Sequence, residues 1–256
     1  MNIVLIGSGN VATVLGRLIK SFGHTIKEVV SRNKTHAQTL AAELNATAQS
    51  NINSTIKDAH IYIIAVADNA VETVAKQLQL NDKIVAHTSG AVSKNVLQNV
   101  SERFGVLYPL QSLRKELTHT PEIPLLIDGN TEETIFDIQT FAASLSKRVS
   151  RAKDEERLKL HVSAVVVSNF TNQLYTLAAE YCKKEGTDFS LLIPLIKEVA
   201  ERTEVHPPTS MQTGPAIRND DITIRKHLKL LEAHPQLKNI YEVMTKSIQG
   251  FYQLNN

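Results

Sequence analysis

The sequence predicts an α/β protein, with a doubly wound, mostly parallel sheet in its N-terminal part and an all-helical C-terminal part. Up to residue 152, apolar runs typical of buried strands alternate with amphipathic helical patterns. This is the order of elements in a parallel sheet with right-handed crossovers. From Asp154 onward only helical periodicity remains. We therefore expect two domains, residues 1–152 and residues 153–256.

The first sixteen residues predict a strand, a turn and a helix. Ile3 to Ile6 is an apolar run with three β-branched residues, as expected of a strand buried on both faces. In the dinucleotide-binding turn of a Rossmann fold, Gly7 would permit the tight turn, Gly9 would let a pyrophosphate approach, and Ala12 would keep the helix near the strand. The free amides of the helix would hold the phosphate charge. We predict a nucleotide site at this turn, Gly7-Ser8-Gly9-Asn10-Val11-Ala12; the alternative is an ordinary glycine-rich turn.

The end of the second predicted strand, Ile26 to Val30, distinguishes the two nicotinamide cofactors. NAD-specific sites usually place an acidic residue about 20 residues after the glycines, where it binds the ribose 2′-hydroxyl. Here the only nearby acid, Glu28, comes too early, and the strand is followed by Ser31-Arg32-Asn33-Lys34. Hydroxyl and guanidinium groups suit the 2′-phosphate of NADP. We therefore expect NADP to bind at Ser31 and Arg32; the alternative is a solvated basic loop.

Two further strands are predicted to bring polar residues to the same edge of the sheet. Residues 60–67 and 83–87 are apolar runs typical of buried strands. The first is followed by Asp68-Asn69, which we expect to cap a helix, and the second by Thr88-Ser89-Gly90. Ligands bind beyond the carboxyl ends of strands in an open α/β sheet. We therefore expect the nucleotide site to include Ala65, Val66, Ala67, Thr88 and Ser89.

The helical part contains a polar stripe on an otherwise apolar helix, predicted over residues 154–184. At 100° per residue, His161, Ser168 and Asn172 lie within roughly 20° of one another, with Asn169 further round. We expect His161 to be a proton donor, because imidazole titrates near neutral pH, with His87 and Tyr108 as reserves. Asn169 and Asn172 would orient a substrate. The alternative is a hydrogen-bonded core or a dimer seam.

A second candidate site lies further along, after the helix predicted over residues 191–202. We expect Gly214-Pro215 to open a helix, with Arg218 one turn in. The free amides at the start of this helix, near Gly214, and the Arg218 guanidinium would bind a substrate carboxylate. The alternative for Arg218 is a local ion pair with Asp220, Asp221 or a neighbour. Helices over residues 222–233 and 236–252 are predicted to complete the chain.

The composition argues against several other classes of protein. A hydrophobic content of 42% over 256 residues is ordinary for a soluble chain, and a net charge of +2 gives no reason to invoke nucleic acid or an anionic membrane. The single cysteine, Cys182, excludes an intramolecular disulfide framework. No apolar run approaches the length of a membrane span, and no signal peptide is evident. We expect a soluble cytoplasmic protein without a metal site.

The motifs resemble those of the Rossmann-like NADP oxidoreductases that are often labelled deazaflavin-dependent and that carry a helical C-terminal domain of unassigned function. More distantly, they resemble pyrroline-5-carboxylate reductase and the 6-phosphogluconate dehydrogenase superfamily. The resemblance covers nearly the whole chain and implies a dimer built through the helical domain. The motifs that carry it are Gly7-x-Gly9-x-x-Ala12, Ser31-Arg32, Ala65-Val66-Ala67-Asp68, His87-Thr88-Ser89-Gly90 and Gly214-Pro215-Ala216-x-Arg218-x-Asp220.

One motif of that superfamily is missing. Its β-hydroxyacid dehydrogenases use Lys-x-x-x-Asn on the first long helix of the second domain, whereas here Lys159 is followed by Ser163 and Asn169 is preceded by Val165. The expected function is therefore NADPH-dependent reduction of a C=N or C=O group in a small anionic substrate. The alternatives are an NAD(P)-dependent hydroxy-acid dehydrogenase and a non-catalytic NADP(H)-binding redox sensor.

Overall fold

The computed structural model describes residues 1–117 and 121–254. The chain divides into two compact units, Met1–Ser168 and Asn169–Asn256. The first unit contains the sheet, and the second is helical. The division between these units falls sixteen residues after the domain boundary predicted at residue 152, within a long helical stretch.

The sheet of the first unit has eight strands among the described residues, in the spatial order β3-β2-β1-β4-β5-β6-β7-β8. Every neighbouring pair is parallel except β6 and β7, which are antiparallel. The predicted doubly wound, mostly parallel sheet is confirmed. The strands are β1 (Asn2–Ile6), β2 (Thr25–Val30), β3 (Thr47–Gln49), β4 (Ile61–Ile64), β5 (Asn81–His87), β6 (Ser101–Pro109), β7 (Leu125–Gly129) and β8 (Val149–Arg151).

Helices cover both faces of this sheet because successive strand residues point to opposite sides. One core cluster contains Ile3 and Leu5 together with α1, α2 and α4 side chains, and the other contains Val4 and Ile6 together with Ala75 of α3. Four of the five β1 side chains, Ile3 to Ile6, are buried. The helices of this unit are α1 (Asn10–Ser21), α2 (Lys34–Leu44), α3 (Asp68–Ala75), α4 (Glu132–Ala143) and α5 (Asp154–Ala164), with 3₁₀ turns at Ile52–Ser54 and Lys94–Leu97.

The second unit consists of helices joined by short turns. A π-helical segment, Val165–Phe170, joins α5 of the first unit to the first helix of the second. Pro194 lies in the first turn of the next helix, where its missing amide proton removes no hydrogen bond within the helix. No helix in the described part of the chain is long and apolar enough to cross a membrane. The helices are α6 (Thr171–Lys184), α7 (Ile193–Arg202), α8 (Asp221–Leu230) and α9 (Pro235–Leu254), with 3₁₀ turns at Phe189–Leu192, Pro208–Ser210 and Leu231–Ala233.

The strand order reverses between β1 and β4. From β1 the chain runs outward to β2 and β3, then crosses back to β4 on the other side of β1. The amide of Ala65, just after β4, donates to the carbonyl of Ile6 at the end of β1 (2.7 Å). Connections leave these two strands in opposite directions and open a crevice between them, which is where doubly wound sheets bind ligands.

Three local predictions are wrong. Strand β4 ends at Ile64, and Ala67 rather than Asp68 is the N-cap of α3, so Asp68 lies in the first turn, where its charge complements the helix dipole. The long helix contains the π-helical segment, which breaks the constant 100° rotation that the polar stripe assumed. Residues 214–219 form turns rather than a helix opened by Gly214, and α8 begins at Asp221.

The buried Glu28 carboxyl on β2 predicts a pH dependence of stability. Glu28 is 3% exposed, its carboxylate accepts the Ile56 amide (3.2 Å), and burial raises its pKa, with the Ile56 hydrogen bond acting in the opposite direction. A folded-state pKa above the unfolded value gives a stabilising contribution that is complete below the unfolded pKa and is lost as the pH rises through the folded pKa. Raising the pH from 4 to 8 should therefore lower the unfolding free energy of wild type more than that of Glu28→Gln.

Urea denaturation at both pH values measures this difference. The matched control is Glu102→Gln, because Glu102 is an exposed carboxylate on β6. A Glu28→Gln effect of the same size at both pH values would contradict the account.

Candidate functional site

A cavity of about 570 Å³ lies at the carboxyl ends of the parallel strands. Eleven of the thirteen residues predicted to bind the cofactor line this cavity: Gly7, Ser8, Gly9, Asn10, Val11, Ser31, Arg32, Ala65, Val66, Ala67 and Thr88. The other two do not line it. Ala12 is fully buried against the core, and Ser89 is buried with its hydroxyl accepting the amides of Ala91 and Val92.

Sequence reasoning missed part of the lining. These residues belong to the segment after β3 and to helix α3 with the turn that follows it. The first group could have been found, because β3 is parallel to its neighbours and its carboxyl end meets the same edge, but the strand is only three residues long. The missed residues of these elements are Ser50, Asn51, Ile52, Asp68, Asn69, Ala70, Val74 and Gln77, and the last residues of β1 and β2, Ile6 and Val30, also line the cavity.

The two glycines of the turn serve different purposes. Gly7 has φ +131°, and a Cβ there would overlap the carbonyl oxygen of Ala65, so the fold itself requires glycine. Gly9 has φ −84° and ψ −169°, an extended conformation open to any residue, and a Cβ there would meet no protein atom within 4 Å. The free space beside Gly9 belongs to the cavity and is available to a ligand that approaches the backbone.

The N-terminus of α1 faces this space with its amides available. Gly9 is the N-cap, no side chain caps the helix, and the first turn carries no acidic residue. The first amide groups of an α-helix have no partner within the helix, and the dipole adds positive potential there. This helix end therefore suits an anionic group such as a pyrophosphate.

A second polar group lies where β2 ends. The hydroxyls of Ser8 and Ser31 share a hydrogen bond of 2.7 Å, which joins the glycine turn to the end of β2. Arg32 is exposed and makes no ion pair with a described residue, while Asn33 is used as the N-cap of α2 and accepts the His36 amide. One hydroxyl proton of the serine pair and the whole guanidinium remain available to an anion.

The loop after β5, residues 88–94, carries a second group of polar contacts. Thr88 donates its amide to the carbonyl of Ile64 (3.0 Å) and lines the cavity. Gly90 is buried, and a Cβ there would lie 2.7 Å from His161 Nδ1 and 2.9 Å from the Tyr108 ring. Tyr108 Oη and His161 Nδ1 share a hydrogen bond of 2.9 Å. The structure therefore brings together two of the three predicted proton donors.

The third, His87, has a different environment. Its side chain is fully buried, and burial lowers its pKa to about 4, with the charge of Arg157 as a smaller cause. Its Nδ1 accepts the Ser89 amide (3.2 Å). A neutral imidazole that a ligand cannot reach does not serve as an acid, so we assign His87 to the loop structure. Burial also raises the pKa of Tyr108, as does the charge of Asp68, while Arg157 lowers it.

His161, predicted in the helical part, lies in the first unit, and the other predicted site residues of that part lie in the second. Asn169, within the π-helical segment, and Asn172, in the first turn of α6, are both exposed. Gly214 has φ +105°, and Arg218 is exposed on the turn that precedes α8. Asp220 is the N-cap of α8, and hydrogen bonds from Thr223 lower its pKa, with the charge of Arg218 a smaller cause. No ion pair within 4.0 Å joins Arg218 to a described acid.

Two family models match separate parts of the chain. Residues 2–89 match the family described as "NADP oxidoreductase coenzyme F420-dependent", and residues 123–248 match "Domain of unknown function (DUF2520)". No curated protein matches the chain. Within the described residues, no group of three or more His, Cys, Asp or Glu side chains is arranged to hold a metal ion.

Solved structures extend the comparison to the whole chain. A "putative NADP oxidoreductase" from Bacteroides fragilis is 34% identical, with a TM-score of 0.90 over 97% of this chain and 98% of that one. An imine reductase from Myxococcus stipitatus in complex with NADP⁺ is 14% identical (TM-score 0.69; 99% and 95% covered). A 1-pyrroline-5-carboxylate reductase from Streptococcus pyogenes is 14% identical (0.64; 98% and 98%).

A Rossmann-like sheet with a cavity at its switch point is typical of a nucleotide-binding protein. The identity to the Bacteroides protein extends over nearly the full length of both chains. The chain belongs to this family of NADP oxidoreductases, which confirms the resemblance inferred from the motifs.

The two glycines of the turn predict effects on stability of very different size. Gly7→Ala should lower the unfolding free energy by about 2 kcal/mol or more, because it forces a side chain into positive φ and against the Ala65 carbonyl. Gly9→Ala should change the free energy by less than about 0.5 kcal/mol. Denaturant titration of both variants against wild type is the measurement. Equal destabilisation by the two substitutions would contradict the assignment of the Gly9 space to a ligand.

Proposed function

We propose that the protein is an NADPH-dependent reductase acting on a C=N or C=O group of a small anionic substrate. The observation that supports this most directly is the cavity at the strand ends, where α1 presents free amides beside the open space at Gly9. When bound, NADPH supplies a hydride from its nicotinamide ring. The remaining requirements are to hold the cofactor, to hold the substrate and to provide a proton.

The cofactor is held by three groups in this proposal. The amides at the start of α1 bind the pyrophosphate, and Ser31 with Arg32 binds the 2′-phosphate. Ala67 and Thr88 lie at the part of the cavity assigned to the nicotinamide. The missing acid at the end of β2 and the unpaired Arg32 support NADP over NAD. The matched family's description names coenzyme F420, so a titration with that coenzyme tests a second cofactor.

His161 is the proposed proton donor. Hydride addition to C=N or C=O leaves a nitrogen or oxygen that needs a proton at the transition state. His161 is half-buried on α5 and bonded through Nδ1 to Tyr108, which leaves Nε2 as the atom that can give a proton. Two relatives in fold are described as imine and pyrroline-5-carboxylate reductases, so imines are the substrates to test first.

The substrate-binding residues proposed in the second unit are Asn169, Asn172, Gly214 and Arg218. Both asparagines are exposed, as substrate contact requires, and the exposed guanidinium of Arg218 suits a carboxylate. The pair 1-pyrroline-5-carboxylate and 1-pyrroline separates the carboxylate contribution. An Arg218→Ala variant that reduces both compounds as wild type does would remove this role from Arg218.

We also propose a homodimer formed through the helical unit. Large apolar side chains of that unit are exposed in the single chain, with Leu191 and Val205 each 76% exposed and Phe170 59%. Its buried hydrophobic residues among those described are only Cys182, Ala216, Ile224 and Leu231. Exposed apolar surface on this scale is typical of an interface. Sedimentation as a monomer at micromolar concentration would contradict the dimer.

A cytoplasmic location remains a prediction from the sequence.

The cofactor assignment predicts the behaviour of Arg32→Ala. The loss of a charged hydrogen bond to the 2′-phosphate should weaken NADPH binding by about 10- to 100-fold, whereas NADH, which lacks this phosphate, should bind within about twofold of wild type. Calorimetric titration with both nucleotides is the measurement. The matched control is Lys27→Ala, which removes an exposed positive charge from β2 outside the cavity lining.

The same titration discriminates the alternatives. Equal affinity of wild type for NADPH and NADH would contradict NADP specificity, and no binding of either would contradict the nucleotide site. Binding of NADPH without oxidation by any member of an imine and keto-acid panel would favour the redox sensor.

A further inference from the structure

Three residues on α5 face the loop after β5 in regular order. Asp154, Arg157 and His161 are spaced three and four residues apart, so they share one face of the helix. Successive contacts along this face run backward along the loop, from Lys94 to Gly90. This face of α5 and the loop of residues 88–94 both belong to the first unit.

The first two contacts are hydrogen bonds to the far end of the loop. Asp154 accepts the Ser93 hydroxyl at Oδ2 (2.5 Å) and the Lys94 amide at Oδ1 (3.3 Å). Arg157 Nη2 donates to the Val92 carbonyl (2.5 Å) and to Asp154 Oδ1 (2.8 Å). Burial raises the pKa of Asp154, but the bonds from Ser93 and Arg157 outweigh this and lower it. The carboxylate is therefore ionised and holds both the helix and the loop.

The third contact is the packing of His161 against Gly90. The imidazole occupies the space that a Gly90 side chain would need, and its Nδ1 is bonded to Tyr108 of β6. Tyr108 is 9% exposed, so its ring is fixed by the surrounding core. The imidazole is thus held by the loop on one side and by the sheet on another.

The same loop reaches the cofactor cavity at its other end. Thr88 lines the cavity, and the Ser89 hydroxyl accepts the amides of Ala91 and Val92, which makes the segment compact. The loop is also tied to β7, because Lys94 Nζ forms a 2.5 Å ion pair with Asp128, which is 1% exposed. A displacement of α5 relative to Val92 would therefore change the distance between His161 and Thr88.

Arg157 is an unusual residue in this position. Its side chain is 1% exposed, and its Nε and Nη1 atoms have no hydrogen-bond partner among the described residues. Burying a guanidinium with unsatisfied donors opposes folding. The contact of Arg157 with Val92 supplies a geometric reason for its presence, since an apolar side chain would fill the same volume without fixing the helix to the loop.

We propose that Asp154 and Arg157 are positioning residues, which fix α5 to the loop after β5 so that His161 is held against Tyr108 with Nε2 free to act. Nε2 makes no hydrogen bond to a described residue. This inference rests on the proposed function, in which His161 gives the proton. It adds two residues that touch neither substrate nor cofactor but determine the position of the proton donor.

The test compares Arg157→Met, Arg157→Lys and Asp154→Asn in the full-length protein. The measurement is the ¹⁵N NMR spectrum of the protein with labelled histidine, because loss of the hydrogen bond to Tyr108 changes the His161 resonances. The Tyr108→Phe variant shows where these resonances lie without that bond, and the His161→Asn variant identifies them by their absence. We expect Arg157→Met and Asp154→Asn to move these resonances toward the Tyr108→Phe values, and Arg157→Lys to restore them partly. The matched control is Lys159→Met, because its exposed pair with Glu155 lies on the same helix away from the loop.

Binding and turnover provide the second readout. In Arg157→Met and Asp154→Asn, NADPH affinity should stay within about twofold of wild type. The kcat for reduction of an imine should fall by about 10- to 100-fold with little change in KM, because misplacement of a reacting group by about 1 Å has effects of this size. Wild-type His161 resonances in folded Asp154→Asn and Arg157→Met would overturn the inference. If Arg157→Met does not fold, Asp154→Asn decides.

The proposed function and the inference fail separately. Absence of NADPH binding to wild type would contradict the function, while the histidine spectra would still decide whether Asp154 and Arg157 position His161.

Discussion

The close approach of Gly7 to the Ala65 carbonyl is the constraint on which the candidate site depends. It lets the chain leave β1 in a sharp turn beside the end of β4, and it allows α1 to begin three residues after Gly7, with its amides toward the crevice. The crevice is then bounded by the ends of β1, β2 and β4. A side chain at position 7 would separate these elements, whereas the space at Gly9 is free for a ligand because the fold makes no use of it.

Much of this arrangement was predictable because burial on both faces leaves a simple pattern in the sequence. The apolar run Ile3–Ile6 is typical of a strand buried on both faces, and the carboxyl ends of parallel strands meet at one edge of the sheet. This is why most of the predicted cofactor residues line one cavity. Ser50 and Asn51 escaped prediction because β3 is too short to have a recognisable period.

Contacts between distant segments were not predictable in the same way. Arg157 looks like an ordinary helix-surface residue in the sequence, yet it is buried because the loop after β5 packs over it. The polar stripe of the long helix assumed constant rotation, which the π-helical segment interrupts. The Gly214 segment forms turns, and the helix after it begins at Asp221 with the Asp220 side chain as its cap, one residue before the start predicted at residue 222. Each failure reflects tertiary packing or capping that overrides a local pattern.

The structure of the protein with NADP⁺ bound tests the central claim most directly. The account predicts the pyrophosphate at the start of α1, the 2′-phosphate within hydrogen-bond distance of Ser31 and Arg32, and the nicotinamide ring beside Thr88. A nucleotide bound elsewhere, or bound in this cavity with its 2′-phosphate remote from Arg32, would contradict it.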